Sequence, residues 1–332
     1  MTHGPPTPPL RDFLIEVSKG NIPGHSIINK FGRNIDVDTA AAEDIWDVGG
    51  TFVEPTTART HDLTSSAAAD AGTLVSSGTA TGGSITSLVD TGADFVSDGV
   101  AVGDMVVNDT NIEHGTVTVV AVTTLTIHQM ETDSSKSRTP NASGDAYRVI
   151  TPASTGASAI KINGLDLLFV EQSEFIILNG VSNVATASTY RMIHRMFVLG
   201  AGSGDANAGN ITATAQTDAT VTAQISTGIN QTLMAVYMVP ANKRALILCY
   251  HCAIDALTAT GAADAFLLSK GFGGVYRTRH VGGVIAAGTS HFHHVFPSDV
   301  TVPACSIIKL RAAVTANNTD ISGGFDILLV DL

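Results

Sequence analysis

The sequence predicts an all-β protein: a small β-barrel insertion, a β-sandwich domain and a C-terminal jelly-roll-like domain. Two observations carry that prediction. Short runs of alternating apolar and polar residues recur along the chain, each bounded by Gly, Asp, Asn or Pro, the punctuation of strands and turns. Hydrophobic residues make up 44 % of the chain, yet only 5 % are aromatic and 14 % charged, so Ala, Val, Ile and Leu supply the apolar content, diluted by Gly, Ser and Thr. That mixture suits strands joined by small-residue turns. A third fact sets the scale: 332 residues can bury substantial cores and suggest two or three domains.

In chain order, residues 1–50 read as an extended N-terminal arm and docking segment. Residues 1–12 are Pro-rich and predict an extended arm. NIPGHSIINKFGRNIDVDTAAAEDIWDVGG follows, with the only tryptophan, Trp46. Its DTAAAED stretch has room for one helical turn before Gly49 and Gly50 stop it. Gly, Pro and Asn around isolated apolar residues mark a segment that docks on something rather than forming its own core.

Residues 51–75 with 151–232 read as a middle β domain. AIKINGLD and SEFIILNG make a hairpin, and STYRMIHRMFVL and GNITATAQ are further strands, separated by the loop AGSGDANAG. Residues 76–150 read as an inserted barrel: SITSLVDTGADF, VAVGDMVVND, GTVTVVAV, TLTIHQM and GDAYRVI are successive short strands. Residues 233–332 read as a jelly-roll-like sandwich of seven or eight strands, from LMAVYMVP to GGFDILLVDL, with Pro240 and Pro303 at strand boundaries.

The motifs GHSIINKFGRN, AIKINGLDLLFVEQSEFIILNG, RMFV, NQTLMAVYMVPANK and GTSHFHHVFP leading to GGFDILLVDL resemble a loosely characterised family of structural (virion) proteins of marine and environmental tailed bacteriophages. The resemblance covers most of the chain. TATGGSITSLVDTGADFVSDGVAVGDMVVNDT through GDAYRVI is similar to a mobile β module of phage structural proteins. In the family, AAADAG and TGASAIKINGLD are contiguous without it, which implies insertion into a loop, a site class that tolerates insertion.

Candidate chemistry is sparse. Cys249 and Cys252 form a CxxC, but RALILCYHCAI alternates as a strand around Leu246, Leu248, Tyr250 and Cys252. Residues three apart on a strand face opposite ways, so buried structural thiols are expected rather than a metal or redox pair. His291 and His293 share one strand face in SHFHHVFP, with His280 upstream, and are the weak metal candidates. No carboxylate sits in ligand spacing with them, so an exposed strand is the favoured reading. Asp90, Asp94 and Asp98 lack the spacing of an EF-hand and read as turn and cap residues. There is no P-loop, GxSxG elbow or HExxH motif. No enzyme and no cofactor are expected.

With 18 basic against 30 acidic residues and a net charge of −12, the chain has little from which to build a phosphate-tracking face, and the local basic spots Arg191 with Arg195 and Arg277 with Arg279 read as exposed strand ends, so nucleic acid is not an expected partner. No apolar run approaches membrane-spanning length, and MTHGPPTPPLRDF lacks the regions of a signal peptide. The expectation is a protein made in a host cytoplasm and localised to a virion. It would act as a capsid decoration, cement or head-fibre-like homo-oligomer, a trimer, docked on capsid protein through Gly24, His25, Ile27, Ile28, Phe31 and Arg33. The alternative is a tail-associated adsorption protein whose terminal jelly roll binds a host glycan. A hydrolytic tail enzyme would need a carboxylate pair at defined separation.

Overall fold

The computed structural model describes residues 10–128, 141–256, 261–285 and 290–332. The expected Pro-rich arm falls, over residues 1–9, outside the described residues. The chain forms two compact units, Met1–Phe52 with Leu233–Leu332 and Val53–Thr232. Both are built from antiparallel sheets. Among the described residues, no helix is long and apolar enough to cross a membrane.

The first unit begins with α1 (Leu10–Ser18), a helix where the sequence suggested only the end of an arm. It buries Val17 and ends at Gly20, whose φ of 75° suits the left-handed turn after a helix. β1 (His25–Val37) and β2 (Glu43–Asp44) follow. The DTAAAED stretch forms a turn into β2 rather than a helical turn.

Among the described residues, the second unit holds fourteen strands in three sheets. β3 (His61–Ser65) precedes β4 (Thr73–Thr79), β5 (Gly82–Ser84), β6 (Ser87–Val89), β7 (Met105–Asn108), β8 (Glu113–Val120), β9 (Thr124–Ile127) and β10 (Ala146–Thr151). β4 to β10 form one sheet in the order β4-β10-β7-β8-β9-β6-β5. Its edge strands, β4 and β5, are consecutive in the chain and separated only by residues 80 and 81, so the sheet curls back on itself around Phe95, Leu125, Tyr147 and Val149. Turn carboxylates hold the curl. Asp90 accepts the Gly92 N–H and the Tyr147 hydroxyl, Asp94 the N–H and hydroxyl of Ser97, and Asp98 the Ser76 hydroxyl.

β11 (Ala157–Leu165), β12 (Glu171–Ile177), β13 (Val184–Ala185), β14 (Met192–Ala201), β15 (Ile211–Ala215) and β16 (Val221–Ile225) complete this unit. Sheet β12-β11-β14 and sheet β13-β3-β15-β16 enclose Ile160, Ile162, Ile193, Met196, Ile211 and Ile225. A further cluster joins Met105, Val107 and Ile150 of the curled sheet to Ala159 and Phe175. Ser76 and Val149, near the two ends of the curled region, are partners in the β4–β10 ladder.

The chain returns to the first unit with β17 (Val236–Met238), β18 (Lys243–Ala256), β19 (Ala262–Lys270), β20 (Arg277–Ile285), β21 (Ser290–Val302), β22 (Ile307–Val314) and β23 (Thr319–Asp331). One sheet runs β1-β23-β18-β21 and the other β17-β22-β19-β20. Leaving aside the two-residue β2 and counting from β1, the orders are first-eighth-third-sixth and second-seventh-fourth-fifth. That is the double Greek key of a jelly roll. Tyr250, Cys252, Leu267, Ile308, Leu310, Phe325 and Ile327 fill it, together with Val37 and Ile45 from the N-terminal stretch.

Residues 24–34 therefore differ from the expected separate arm: most of them form the first strand of the roll, paired from His25↔Val330 to Asn34↔Ile321. Residues 233–332 alone lack it. The side chains that β1 turns inward begin Ile28, Lys30, Gly32, Asn34, only one of them large and apolar, so alternation gave no strand signal. Gly32 is required there, because a Cβ would strike the Ile45 carbonyl and the Ala235 amide. β2 and β17 lie along the same edge of β22, Asp44 opposite Arg311 and Val236 opposite Lys309. One edge of the roll is thus assembled from two stretches between which the whole second unit is inserted.

Candidate functional site

The six expected docking residues lie at or just before the start of β1. Gly24 turns into the strand at φ 71°, and its carbonyl accepts the Asp331 N–H at 2.8 Å. The His25 ring meets Phe13 edge-on at 5.8 Å and its Nδ1 lies 3.0 Å from the Pro23 carbonyl. Ile28 packs on the roll's core. The Phe31 carbonyl accepts the Met234 N–H, and Arg33 pairs with Asp47 at 3.3 Å. Ile27 is half-buried beside them. The structure brings these residues together, but much of their bonding is internal. What β1 presents outward is an edge, since its ladder partner is β23.

The histidine-rich strand β21 is the opposite edge of the same sheet. His291 and His293 lie on its exposed face, with His293 opposite His251 and His291 opposite Ala253. The other face points into the roll and carries Phe292, His294 and Phe296. There His294 stacks on His280 at 3.9 Å, and the His280 Nδ1 lies 2.6 Å from the Tyr250 hydroxyl. Loss of solvent, then the neighbouring His294, holds the His280 pKa below its ordinary value. Among the described residues, no group of three or more His, Cys, Asp and Glu side chains is arranged to hold a metal ion.

Cys249 and Cys252 face opposite ways. The Cys249 thiol donates to Asp326 at 3.3 Å, while Cys252 is buried in the core. The alternation differs from the expected one in its first half. A bulge between Ile247 and Cys249 changes phase, so Ala245 and Ile247 face inward before it and Tyr250, Cys252 and Ile254 after it.

Sequence reasoning missed a buried ion cluster. Asp44 accepts from Lys309 Nζ at 2.7 Å, from Arg311 Nε at 2.8 Å and from the Phe52 N–H at 2.7 Å. Burial lowers the Lys309 pKa against the pull of Asp44, and the bond to Asp44 raises that of Arg311. No motif marks such a triad, because Asp44 lies far from its partners in sequence.

No family model matches the sequence, and neither does any curated protein. Among solved structures, the infectious bursal disease virus Gx strain shares 10 % identity at TM-score 0.20, over 84 % of this chain and 74 % of that chain. The Gt strain of that virus shares 11 % at TM-score 0.20, over 83 % and 74 %. The VP2 subviral particle of infectious bursal disease virus shares 10 % at TM-score 0.19, over 84 % and 74 %. Likeness at this level does not establish a common fold.

Two adjoining hollows of about 470 and 440 Å³ run along β12 in the second unit, with Ile112 and Ser173 lining both. Asp109, Arg148, Lys161 and Glu174 of their lining hold the walls. Arg148 makes two bonds to Asp109 and one to the Phe175 carbonyl, Glu174 accepts the N–H groups of Ala187 and Ser188, and Lys161 donates to the Ile112 carbonyl. The buried Asp70 likewise gathers the N–H groups of Ala157, Ala208 and Gly209 and the Ser65 hydroxyl. These carboxylates fasten segments distant in sequence.

Proposed function

We propose that this protein is a non-enzymatic structural component of a tailed-phage virion, a capsid decoration, cement or head-fibre-like protein. It would assemble as a homotrimer and dock on capsid protein. The observation that carries the reading is the jelly roll closed by both stretches of the first unit, between which the chain of a second β unit is inserted. Jelly rolls serve capsids, lectins and cupins alike, so the strand order alone does not choose a function. The motif resemblance to phage structural proteins supports the virion reading. The engagement of Asp44, Asp70, Asp109 and Glu174 in structural bonds fits a protein that holds shape rather than turns over substrate.

Docking is assigned to the edge of β1 and the segment preceding it, because an edge strand offers backbone groups to a further chain. Glycan binding by the roll has less support. Tyr237, Tyr250 and Phe325 lie in its core, and Tyr276 sits beneath the ammonium groups of Lys270 and Lys309.

Mass spectrometry and antibody labelling of purified particles test the reading. A fixed stoichiometric copy number on the head is expected, and absence from particles contradicts it. Light scattering of the purified chain tests assembly: a trimer is expected, and a stable monomer at micromolar concentration with concentration-independent melting overturns it.

A further inference from the structure

The turn between β11 and β12 displays three large aliphatic side chains in the five residues Asp166 to Val170. Leu167, Leu168 and Val170 are 53, 71 and 54 % exposed. Isolated exposed apolar residues need no explanation, but a cluster on a projecting turn marks an interaction site.

This turn is built, not slack. The Asp166 carboxylate accepts the N–H groups of both Leu168 and Val170 at 2.8 Å. The Asp166 N–H donates to the Val170 carbonyl at 3.0 Å and the Phe169 N–H to the Asp166 carbonyl at 3.1 Å. Phe169 itself sits at φ 61°, a left-handed conformation that is a genuine outlier for a bulky residue. Strain of this kind persists only where the surroundings over-determine it, and it clusters at ligand clamps. Here the surroundings are visible. The Phe169 ring is buried, and the Arg191 guanidinium covers it at 5.0 Å while donating to the Thr56 carbonyl at 2.6 Å. Phe169 is tucked in so that its neighbours point out.

The geometry points to residues 166–170 as a preformed anchor that inserts into an apolar pocket, rimmed by basic side chains, on a different protein. Charge selects that occupant. Asp166, Glu171 and Glu174 make the turn and its flank acidic, while Arg191, the guanidinium over Phe169, is buried and paired with Glu54 at 3.8 Å. A second copy of this acidic chain, with 30 acidic against 18 basic residues, is a poor electrostatic match, and so is an anionic lipid surface. A rigid turn enters a pocket without first paying to become ordered, as an interface hot spot requires.

The inference deepens the virion reading and rests on it. Particles assembled with full-length wild type or with the L167D/L168D variant test both. Wild type is expected on the particle, with the variant reduced about tenfold or more. The variant should keep the wild-type melting temperature and oligomeric state, because both side chains are exposed. A photo-crosslinker at position 168 should capture a second virion protein of defined mass. Wild type and variant at equal copy number overturn the anchor and leave the virion reading standing, whereas absence of wild type overturns both. A variant of altered oligomeric state makes the turn a self-contact, and wild-type binding to phosphatidylglycerol vesicles that the variant loses makes it a lipid contact. Either result overturns the assignment.

Discussion

Asp44 and Lys309 meet at 2.7 Å with their side chains 0 and 1 % exposed, fastening the N-terminal stretch of the jelly roll to its seventh strand. Two charges out of water are tolerated because Asp44 also receives Arg311 and the Phe52 N–H. Asp44→Ala leaves the Lys309 ammonium buried without its counter-ion, and a loss of about 3–5 kcal/mol is expected in denaturant unfolding of the roll. The double variant D44A/K309M should recover part of it. An Asp44→Ala protein within about 0.5 kcal/mol of wild type would show that the pair is not structural.

The curled sheet of the second unit should be removable. Thr73 is the ladder partner of Thr151, so Val75 and Thr151 can be joined through a short Gly/Ser linker. Closure cost grows by only about 0.6 kcal/mol per doubling of length. The deletion uncovers Phe175 and Ala159, which Met105, Val107 and Ile150 had covered. A soluble protein is expected, with the roll melting as before and the second unit weakened by roughly 2–4 kcal/mol. An insoluble product would show that these strands are indispensable to their unit.

Acid should loosen the roll before its carboxylates titrate. Desolvation holds both His280 and His251 below the ordinary 6.5, with His294 adding to the shift at His280 and His293 to that at His251, against the opposing pull of Asp326 on His251. Between those lowered folded-state values and 6.5, the unfolded chain binds more protons than the roll. The stability contributed by these groups is therefore complete above the unfolded value and declines as pH falls toward the folded ones. The roll's melting temperature should drop between about pH 7.5 and 5, less steeply in His280→Gln. A melting temperature flat across that range contradicts the assignment.

The CxxC should resist both oxidation and alkylation. Burial is the main cause that pushes Cys249 up to about 11 and Cys252 to about 12, and the nearby carboxylates of Asp326 and Asp255 add to it. Thiols so rarely ionised react slowly. Native alkylation should spare Cys252 and modify Cys249 slowly, with no Cys249–Cys252 disulfide under mild oxidant. Rapid double labelling of the folded chain would contradict that.

Strand content was legible in the sequence because alternation survives wherever one face meets a core, as along Ile160 and Ile162 or Phe325 and Ile327. The first strand of the roll was not, since Lys30, Gly32 and Asn34 occupy its inward face. Its place is fixed by β23, nearly three hundred residues away, and by the close approach that Gly32 allows. Around Cys249 the opposed facing of the two thiols was legible, but the bulge after Ile247 was not, because a change of phase leaves no mark in composition. Among candidate site residues, His291 and His293 were legible as an exposed face. The inward His280–His294 stack depends on which strands of the two sheets meet.

The central structural claim is that one jelly roll is closed by two stretches of chain with the second unit inserted between them. Asp47 donates its N–H to the Leu233 carbonyl at 3.1 Å, and Trp46 bridges to Met234, so the ends of the insertion lie side by side. Excising residues 53–232 and joining Phe52 to Leu233 through a short Gly/Ser linker tests this directly, with residues 233–332 alone as control. The expected result is a soluble, cooperatively melting β protein from the joined chain and no stable fold from the control, which lacks β1, β2, Val37, Ile45 and Asp44. A control that folds as stably as the joined chain, or a joined chain that does not fold, would contradict it.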